Sequence, residues 1–508
     1  MKVNRFFFPV KLAGVFFIAS LCATHANAQY LRTSYFMENT HFRNQLNPAI
    51  TPNRGFINLP VVGGINAAVG STSLGYQDVM DILDNGSDFY KTQDFMNRLD
   101  NNNVLNMSSN INLLSAGWYK GQNFWSFNIG LRMDLGAKVT KSMFNFLNEV
   151  DEMQKNWNNQ EFDIQGQELN IQSYVEVGVG FARPINDRLS VGGRLKALLG
   201  VGNMEMKVRR AYMKANLPTE QRINEIQNMK FTQQNWYQEV SALKTELEGY
   251  HALLDVDATL NSSFKGLDLE ENDKGYVDDM DFDSGNMGLA GYGLGIDLGA
   301  SYKILDNLTV SAAVLDLGFM SWSKGSTQTG TASGNINLQG SDYVKRFEGV
   351  TTEEQAQQVL NDFANEAQDY LNSVSDGDIM NYDMLKLETK DADKSRKSAL
   401  AATIVLGGEY GFFENKLAVG VLSTTRFLKP ETKTELTFSA NYRPKSWLNA
   451  TFSYSPIMAS GKSFGLGLGL GPVFIGTDYM FLGKNSNSVN AFFGVSIPLG
   501  KKKADKES

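Results

Sequence analysis

The feature that most constrains this chain is a repeated two-residue alternation. Between Gly288 and Lys303 the even positions Ala290, Tyr292, Leu294, Ile296, Leu298, Ala300 and Tyr302 are apolar or aromatic. The odd positions are Gly291, Gly293, Gly295, Asp297, Gly299 and Ser301. An extended strand sends successive side chains to opposite faces, so this segment has one greasy face and one small, polar face. The pattern recurs from Trp125 to Gly136, from Leu169 to Phe181, from Leu189 to Leu199 and from Phe464 to Gly471. Glycine crowds the non-apolar face, where a water-facing sheet would carry Thr, Lys or Glu. Aromatic residues gather near strand ends, among them Tyr119, Trp125, Phe181, Tyr302, Tyr442 and Trp447. Membrane barrels carry such aromatic girdles at both interfaces. The expected fold is therefore an all-β transmembrane barrel rather than a soluble sandwich.

About 14 such strands can be placed between residues 55 and 500, an even number that suits a single-chain antiparallel barrel. Short connections such as Lys120–Asn123, Pro184–Arg188 and Glu414–Asn415 follow the even strands. Long ones follow the odd strands: Ser71–Ser109, Thr140–Gln167, Val208–Met287 and Ser323–Lys397. Barrels of this kind have short periplasmic turns and long outer loops, so the alternation of lengths orients the molecule. The long loops are expected to be partly helical, over Pro218–Glu248, Thr351–Val374 and Ser142–Glu152. Asp255–Phe264 reads as a hairpin extension outside the membrane.

The first residues point to export. Lys2 and Arg5 precede an apolar run from Phe6 to Leu21, and Ala26-Asn27-Ala28 forms a small-x-small cleavage site. Residues 1–28 are expected to be a Sec signal peptide, with Gln29 as the first residue after cleavage. Past it no apolar run approaches the roughly 20 residues of a membrane-crossing helix. The single cysteine, Cys22, lies inside the signal, so no disulfide or thiolate chemistry is expected after its removal. The expected location is the outer membrane of a Gram-negative bacterium. Residues 29–54 are long enough to fold into the lumen as a plug, and residues 501–508 form a charged periplasmic tail.

The alternation points Arg132, Asp134, Glu176, Arg194, Lys196, Asp297, Arg426 and Asp478 inward. Such a set can line a polar conduit, or form ion pairs that hold a plug against the wall, as burial requires. The inward glycines can enlarge a cavity or let a plug pack closely.

Enzymatic chemistry finds no footing. Past the signal the histidines are His41 and His251, with no Gly-x-Ser-x-Gly elbow and no His-Glu-x-x-His zinc motif. No cofactor and no metal are expected. Asp278, Asp279, Asp281, Asp283 and Gly285 resemble a calcium loop, but Ser284 displaces the glycine and Ala290 stands where a bidentate Glu is needed, so an acidic solvated loop is expected. The net charge of −8 argues against a nucleic-acid partner. The expected partners are outer-membrane lipid, the barrel assembly machinery during biogenesis, and an envelope or secreted protein gripped by loops or plug.

With Asn47-Pro48-Ala49 near its start and the turn Arg183-Pro184-Ile185-Asn186-Asp187-Arg188, the chain resembles Bacteroidota outer-membrane barrels of the fatty-acid-transporter-like class. That class includes the PorV-like shuttle proteins of type IX secretion. More closely, the chain is similar to a family of such barrels classed only as a domain of unknown function. The resemblance implies 14 strands and an N-terminal segment folded into the lumen. Two functions follow as expectations: passive transport of a small hydrophobic or amphipathic molecule, or a scaffold or secretion-associated partner acting through plug or loops.

Overall fold

The computed structural model describes residues 32–38, 40–58, 63–73, 75, 90–153, 158–271, 277–282, 286, 288–375, 388–391, 394–457, 462–479 and 488–500. The signal peptide with Ala26, Ala28 and Gln29, the charged tail, and Asp283 and Gly285 of the acidic stretch lie outside these residues.

Fourteen antiparallel strands close into a barrel. In chain order they are β1 (two segments, Gly55–Asn58 and Ile65–Ser71), β2 (Asn102–Lys120), β3 (Asn123–Thr140), β4 (Glu168–Pro184) and β5 (Leu189–Asn216). Then follow β6 (Gly291–Leu305), β7 (Leu308–Trp322), β8 (Arg396–Ala399 and Thr403–Phe412), β9 (Leu417–Arg426) and β10 (Lys433–Lys445). β11 (Leu448–Ile457), β12 (Ser463–Leu470), β13 (Val473–Tyr479) and β14 (Ser488–Leu499) complete the wall. Each strand pairs with its sequence neighbours, and β14 pairs back onto β1 through Gly55↔Leu499 and Ile65↔Phe493. Closure removes free edges, which a lipid environment without hydrogen-bonding solvent demands.

Alternation sorts the two faces. Leu195 and Leu294 are 67% and 63% exposed and point to lipid, while Lys196 between Leu195 and Ala197 is 3% exposed. Among the described residues no helix is long and apolar enough to cross a membrane, so strands alone do so. An unboiled sample is expected to run differently from a boiled one on a denaturing gel and to sediment with outer membranes. A soluble fraction with no heat shift would contradict the barrel.

Two irregularities matter for the lumen. From Asn58 to Ile65, seven positions on β1, the register moves only from Ser496 to Phe493 on β14 and from Ser115 to Ile111 on β2. One uninterrupted strand over Gly55–Gly70 was expected; β1 is instead two paired segments with surplus chain between them. The second irregularity is a bulge in β7. Ile296↔Leu317 is followed by Leu298↔Val314, and Asp316 takes a left-handed φ of 57°. A bulge adds one residue to one strand and so exchanges the faces beyond it.

The outer loops build their own structure. β5 runs nine residues beyond the Lys207 expected from sequence, to Asn216. It pairs there with His251–Phe264, which in turn pairs with Thr327–Gln339. This extension carries a helical head. The single helix expected over Pro218–Glu248 is two, Glu220–Gln227 and Trp236–Glu248. The break follows from packing: Phe231 is buried in the head core and its N–H donates to Gln357 Oε1 at 3.0 Å. Glu353–Ser375 supplies Leu360 and Phe363 to the same core. Arg222 Nε and Nη2 donate to the two oxygens of Glu246 at 2.8 and 2.6 Å, and this guanidinium holds the Glu246 carboxyl below the usual carboxylate range. Leu360→Ala should destabilise the head by about 2–5 kcal/mol, as for other fully buried leucines. Limited proteolysis should show faster cleavage there with the barrel's heat shift unchanged; loss of both together would mean that head and barrel fold as one.

Candidate functional site

The lumen is filled from below by the N-terminal segment. Arg32–Tyr35 and Phe42–Leu46 form two short helices whose side chains are mostly buried. Thr33 N donates to Asp478 Oδ1 at 2.6 Å and Arg32 N to Asp478 Oδ2 at 3.2 Å. Arg32 also faces Glu435 at 3.5 Å. Arg443 Nη2 donates to the Phe36 carbonyl and to Glu409, both at 2.8 Å, and its Nη1 reaches Glu38 at 2.9 Å. The Asn47-Pro48-Ala49 turn is stitched to the wall: Asn47 Nδ2 donates to the carbonyls of Ala300 and Ala312 at 3.3 and 3.2 Å.

The inward glycines receive this segment. A Cβ on Gly192 would lie 2.4 Å from the Pro48 carbonyl oxygen, and one on Gly420 would lie 2.3 Å from the Phe36 ring. Apolar plug residues Tyr35, Phe36, Met37, Phe42 and Leu46 pack with wall residues Leu315, Val405, Leu422, Phe474 and Phe492.

Above the plug lies a cluster of ions. Lys196 Nζ stands 2.6 Å from Asp316, 2.8 Å from Asp297 and 3.5 Å from Glu176. Arg132 Nε is 3.3 Å from Glu176, and Arg194 Nη1 is 3.4 Å from Asp297. Arg194 Nη2 also donates to the backbone carbonyl and side chain of Asn44, which ties the cluster to the plug. Arg426 Nη2 lies 2.9 Å from both oxygens of Asp134. Four cations thus face four carboxylates, and the group is neutral. Burial of a charge costs several kcal/mol unless it is matched, so this balance is what allows the cluster to exist.

Of the inward charges read from sequence, Arg132, Asp134, Glu176, Arg194, Lys196, Asp297 and Arg426 meet in this cluster. Asp478 lies apart, on β13, where it accepts from the backbone of the plug's first helix. Asp316 joins the cluster unannounced by the alternation, since its even position in β7 belongs to the lipid face until the bulge turns it inward. Glu409, Glu435 and Arg443 are further inward charges, on the inward alternation of β8 and β10, that were not among those expected.

Between plug and cluster is a cavity of about 50 Å³. Its floor carries Phe42 and Leu46 with Gln45 of the plug and Leu315 of the wall, and Tyr174 stands among the charges of the cluster. Its wall is polar and uncharged, with Asn66, Ser108, Ser109 and Asn110 from β1 and β2. Its roof is the ion cluster. The cavity abuts β1 just beyond the interruption, where Gly64 faces the Phe42 ring and its carbonyl accepts from Asn112 N at 2.8 Å. Among the described residues no array of His, Cys, Asp or Glu is arranged to hold a metal.

These features define an outer-membrane type of β-barrel whose lumen is closed by its own N-terminal segment. The chain belongs to a family of unknown function (DUF5723), whose sequence profile matches residues 48–478. No curated protein matches the sequence. Among solved structures, a mutant of the TodX monoaromatic hydrocarbon channel is similar at 10% identity and a TM-score of 0.38, covering 94% of this chain and 96% of that one. The Ralstonia pickettii toluene transporter TbuX is similar at 8% identity and a TM-score of 0.36, with the same coverage of each chain. A Pseudomonas aeruginosa FadL homologue stands at 10% identity and a TM-score of 0.36, covering 93% of this chain and 97% of that one.

Proposed function

We propose that this protein is a non-enzymatic channel for passive passage of a small hydrophobic or amphipathic molecule across the outer membrane, closed in the present state by residues 32–50. The observation that carries this reading is the cavity itself. It sits where a largely apolar plug surface meets a polar wall, below the ion cluster and beside the interrupted strand β1. A pure structural barrel gains nothing from a space there, because a filled interior is the more stable one. Export through a cleaved signal ending at Ala28 belongs to the same reading.

The test is reconstitution of the full chain in vesicles. Small amphipathic solutes should enter protein-bearing vesicles faster than empty ones, while ionic conductance stays low because the plug is seated. Equal entry with and without protein would overturn the channel.

The helical head favours a second reading, an anchor or scaffold for an envelope or secreted protein, because its packed core is more than a loop needs for passage alone. Crosslinking in cells from Glu220–Gln227 or Glu353–Ser375 should then capture one partner, and capture of none would remove that reading.

A further inference from the structure

One connection at the long-loop end of the barrel does not leave the wall as its neighbours do. β9 ends at Arg426, β10 begins at Lys433, and these two residues pair directly. A two-residue turn would close such a hairpin. Six residues, 427–432, join the strands instead, and they fold inward. A Cβ on Gly136 of β3 would overlap the Lys429 carbonyl oxygen and lie 2.9 Å from Pro430 Cδ, so the loop backbone rests on β3 where glycine alone leaves room. β3 and β9 stand six strands apart in the closed wall. That is roughly 29 Å around the wall at the usual strand spacing, so the two can touch only across the lumen.

Ion pairs pin this strap at its root and at its middle. Arg426 Nη2 donates to both oxygens of Asp134 on β3 at 2.9 Å. Lys429 Nζ donates to Glu205 Oε1 on β5 at 2.8 Å. Glu205 is steadied in turn by Arg396 of β8 at 3.7 Å. Asp134 borders the cavity, and Gly136 is the next inward residue of β3 toward the long loops, about 7 Å farther along. The strap therefore crosses just above the cavity, opposite the plug. Water still reaches it, because the Lys429 side chain is 59% exposed. The mouth is narrowed and not sealed.

We infer that residues 427–432 are a strap that sets the cross-section of what enters the cavity from the long-loop end. The inference rests on the channel reading for its biological meaning and deepens it, because it names the element that selects a permeant by width. Pore selectivity comes down to diameter as well as lining chemistry. A slim molecule passes beside the strap, and a broad one of the same polarity must wait for it to lift. Small ions pass beside it as well.

The test places a thiol in the cavity and measures how wide a reagent can reach it. Ser108 lines the cavity, and Ser108→Cys keeps its size. The full-length variant in detergent is treated with N-methylmaleimide, which is slim, or fluorescein-5-maleimide, which is broad. The parent, whose single cysteine is Cys22, gives the background. Relative to its rate on free cysteine, the slim reagent should be at least about tenfold faster than the broad one, as when the strap is lifted about a tenth of the time or less. Replacing residues 427–432 by Asn-Gly should erase most of that gap with the heat shift of the barrel intact. Should the shortened hairpin fail to fold, Gly136→Val displaces the strap backbone without altering the strap and should shrink the gap in the same direction. Equal relative rates in the Ser108→Cys barrel, a gap untouched in the folded strap variants, or no labelling by N-methylmaleimide would each overturn the strap. A gap that the variants erase, in a barrel that passes no solute into vesicles, supports the strap and overturns the channel. Passage of solutes with no gap does the reverse.

Discussion

Lys196→Met is expected to lower the stability of the barrel by about 3–5 kcal/mol, the range seen when one partner of a buried ion pair is removed. The ammonium lies within 3.5 Å of Glu176, Asp297 and Asp316, and its side chain is 2% exposed. Without it, four carboxylates share Arg132, Arg194 and Arg426, and one negative charge is buried without a match. Methionine keeps the volume, so cavity formation adds little. The informative control is Lys196→Met with Asp316→Asn, which returns the cluster to neutrality at three cations and three carboxylates. Asparagine tolerates the left-handed backbone that Asp316 adopts, so the second change adds no strain. The double variant should recover about 1 kcal/mol or more over Lys196→Met alone. Denaturant midpoints in detergent, read by the heat-shifted gel band, check both. A double variant no more stable than the single one would mean that the charges act independently.

That expectation depends on Asp316, and Asp316 shows where the sequence stops being legible. The wall is readable because strand periodicity is rigid: each residue flips the face, so Leu195 and Lys196 assign themselves to lipid and lumen. Loop lengths carry the orientation for the same geometric reason. A bulge breaks the rule locally and leaves no mark in composition. Leu308, Val310, Ala312 and Val314 place the even residues of β7 outward, and only the extra residue at Leu315-Asp316 exchanges the faces, so that Leu317 and Phe319 point to lipid instead. Glu409 and Arg443 are a different case. They obey the alternation, but they sit near the short-turn ends of their strands, and their meaning depends on Glu38 and Arg43 of the plug. Helices of four or five residues have no periodicity to read, so the plug side of every such pair was hidden. The helix break near Phe231 was hidden likewise, because a tertiary contact with Gln357 and not local propensity decides it.

The other large effect concerns what holds the lumen shut. Gly192→Val should unseat the plug while leaving the barrel closed. A Cβ at Gly192 would stand 2.4 Å from the Pro48 oxygen and 2.7 Å from the Ala49 nitrogen, both backbone atoms that cannot rotate away. Either the strand or the plug must move, and the strand is held by ladders to β4 and β6 through Ala182 and Gly299. The plug turn is held to the wall by less: two bonds from Asn47 Nδ2 to the carbonyls of Ala300 and Ala312. At about 0.5–1.5 kcal/mol for each bond, these amount to a few kcal/mol, which a clash of this depth can exceed. Bilayer recordings should therefore show at least about tenfold more ionic conductance for Gly192→Val, the ratio that 1.4 kcal/mol in plug seating produces. Asn47→Ala should act in the same direction, and combining the two should add little, since both release one turn. The neighbouring residue supplies the control. A Cβ on Gly193 meets only the Asp297 oxygen at 3.4 Å and the Leu298 side chain at 3.6 Å, ordinary contacts away from the plug. Gly193→Val should therefore conduct like the parent. Equal conductance from Gly192→Val and Gly193→Val would show that the Asn47-Pro48-Ala49 turn does not keep the channel closed.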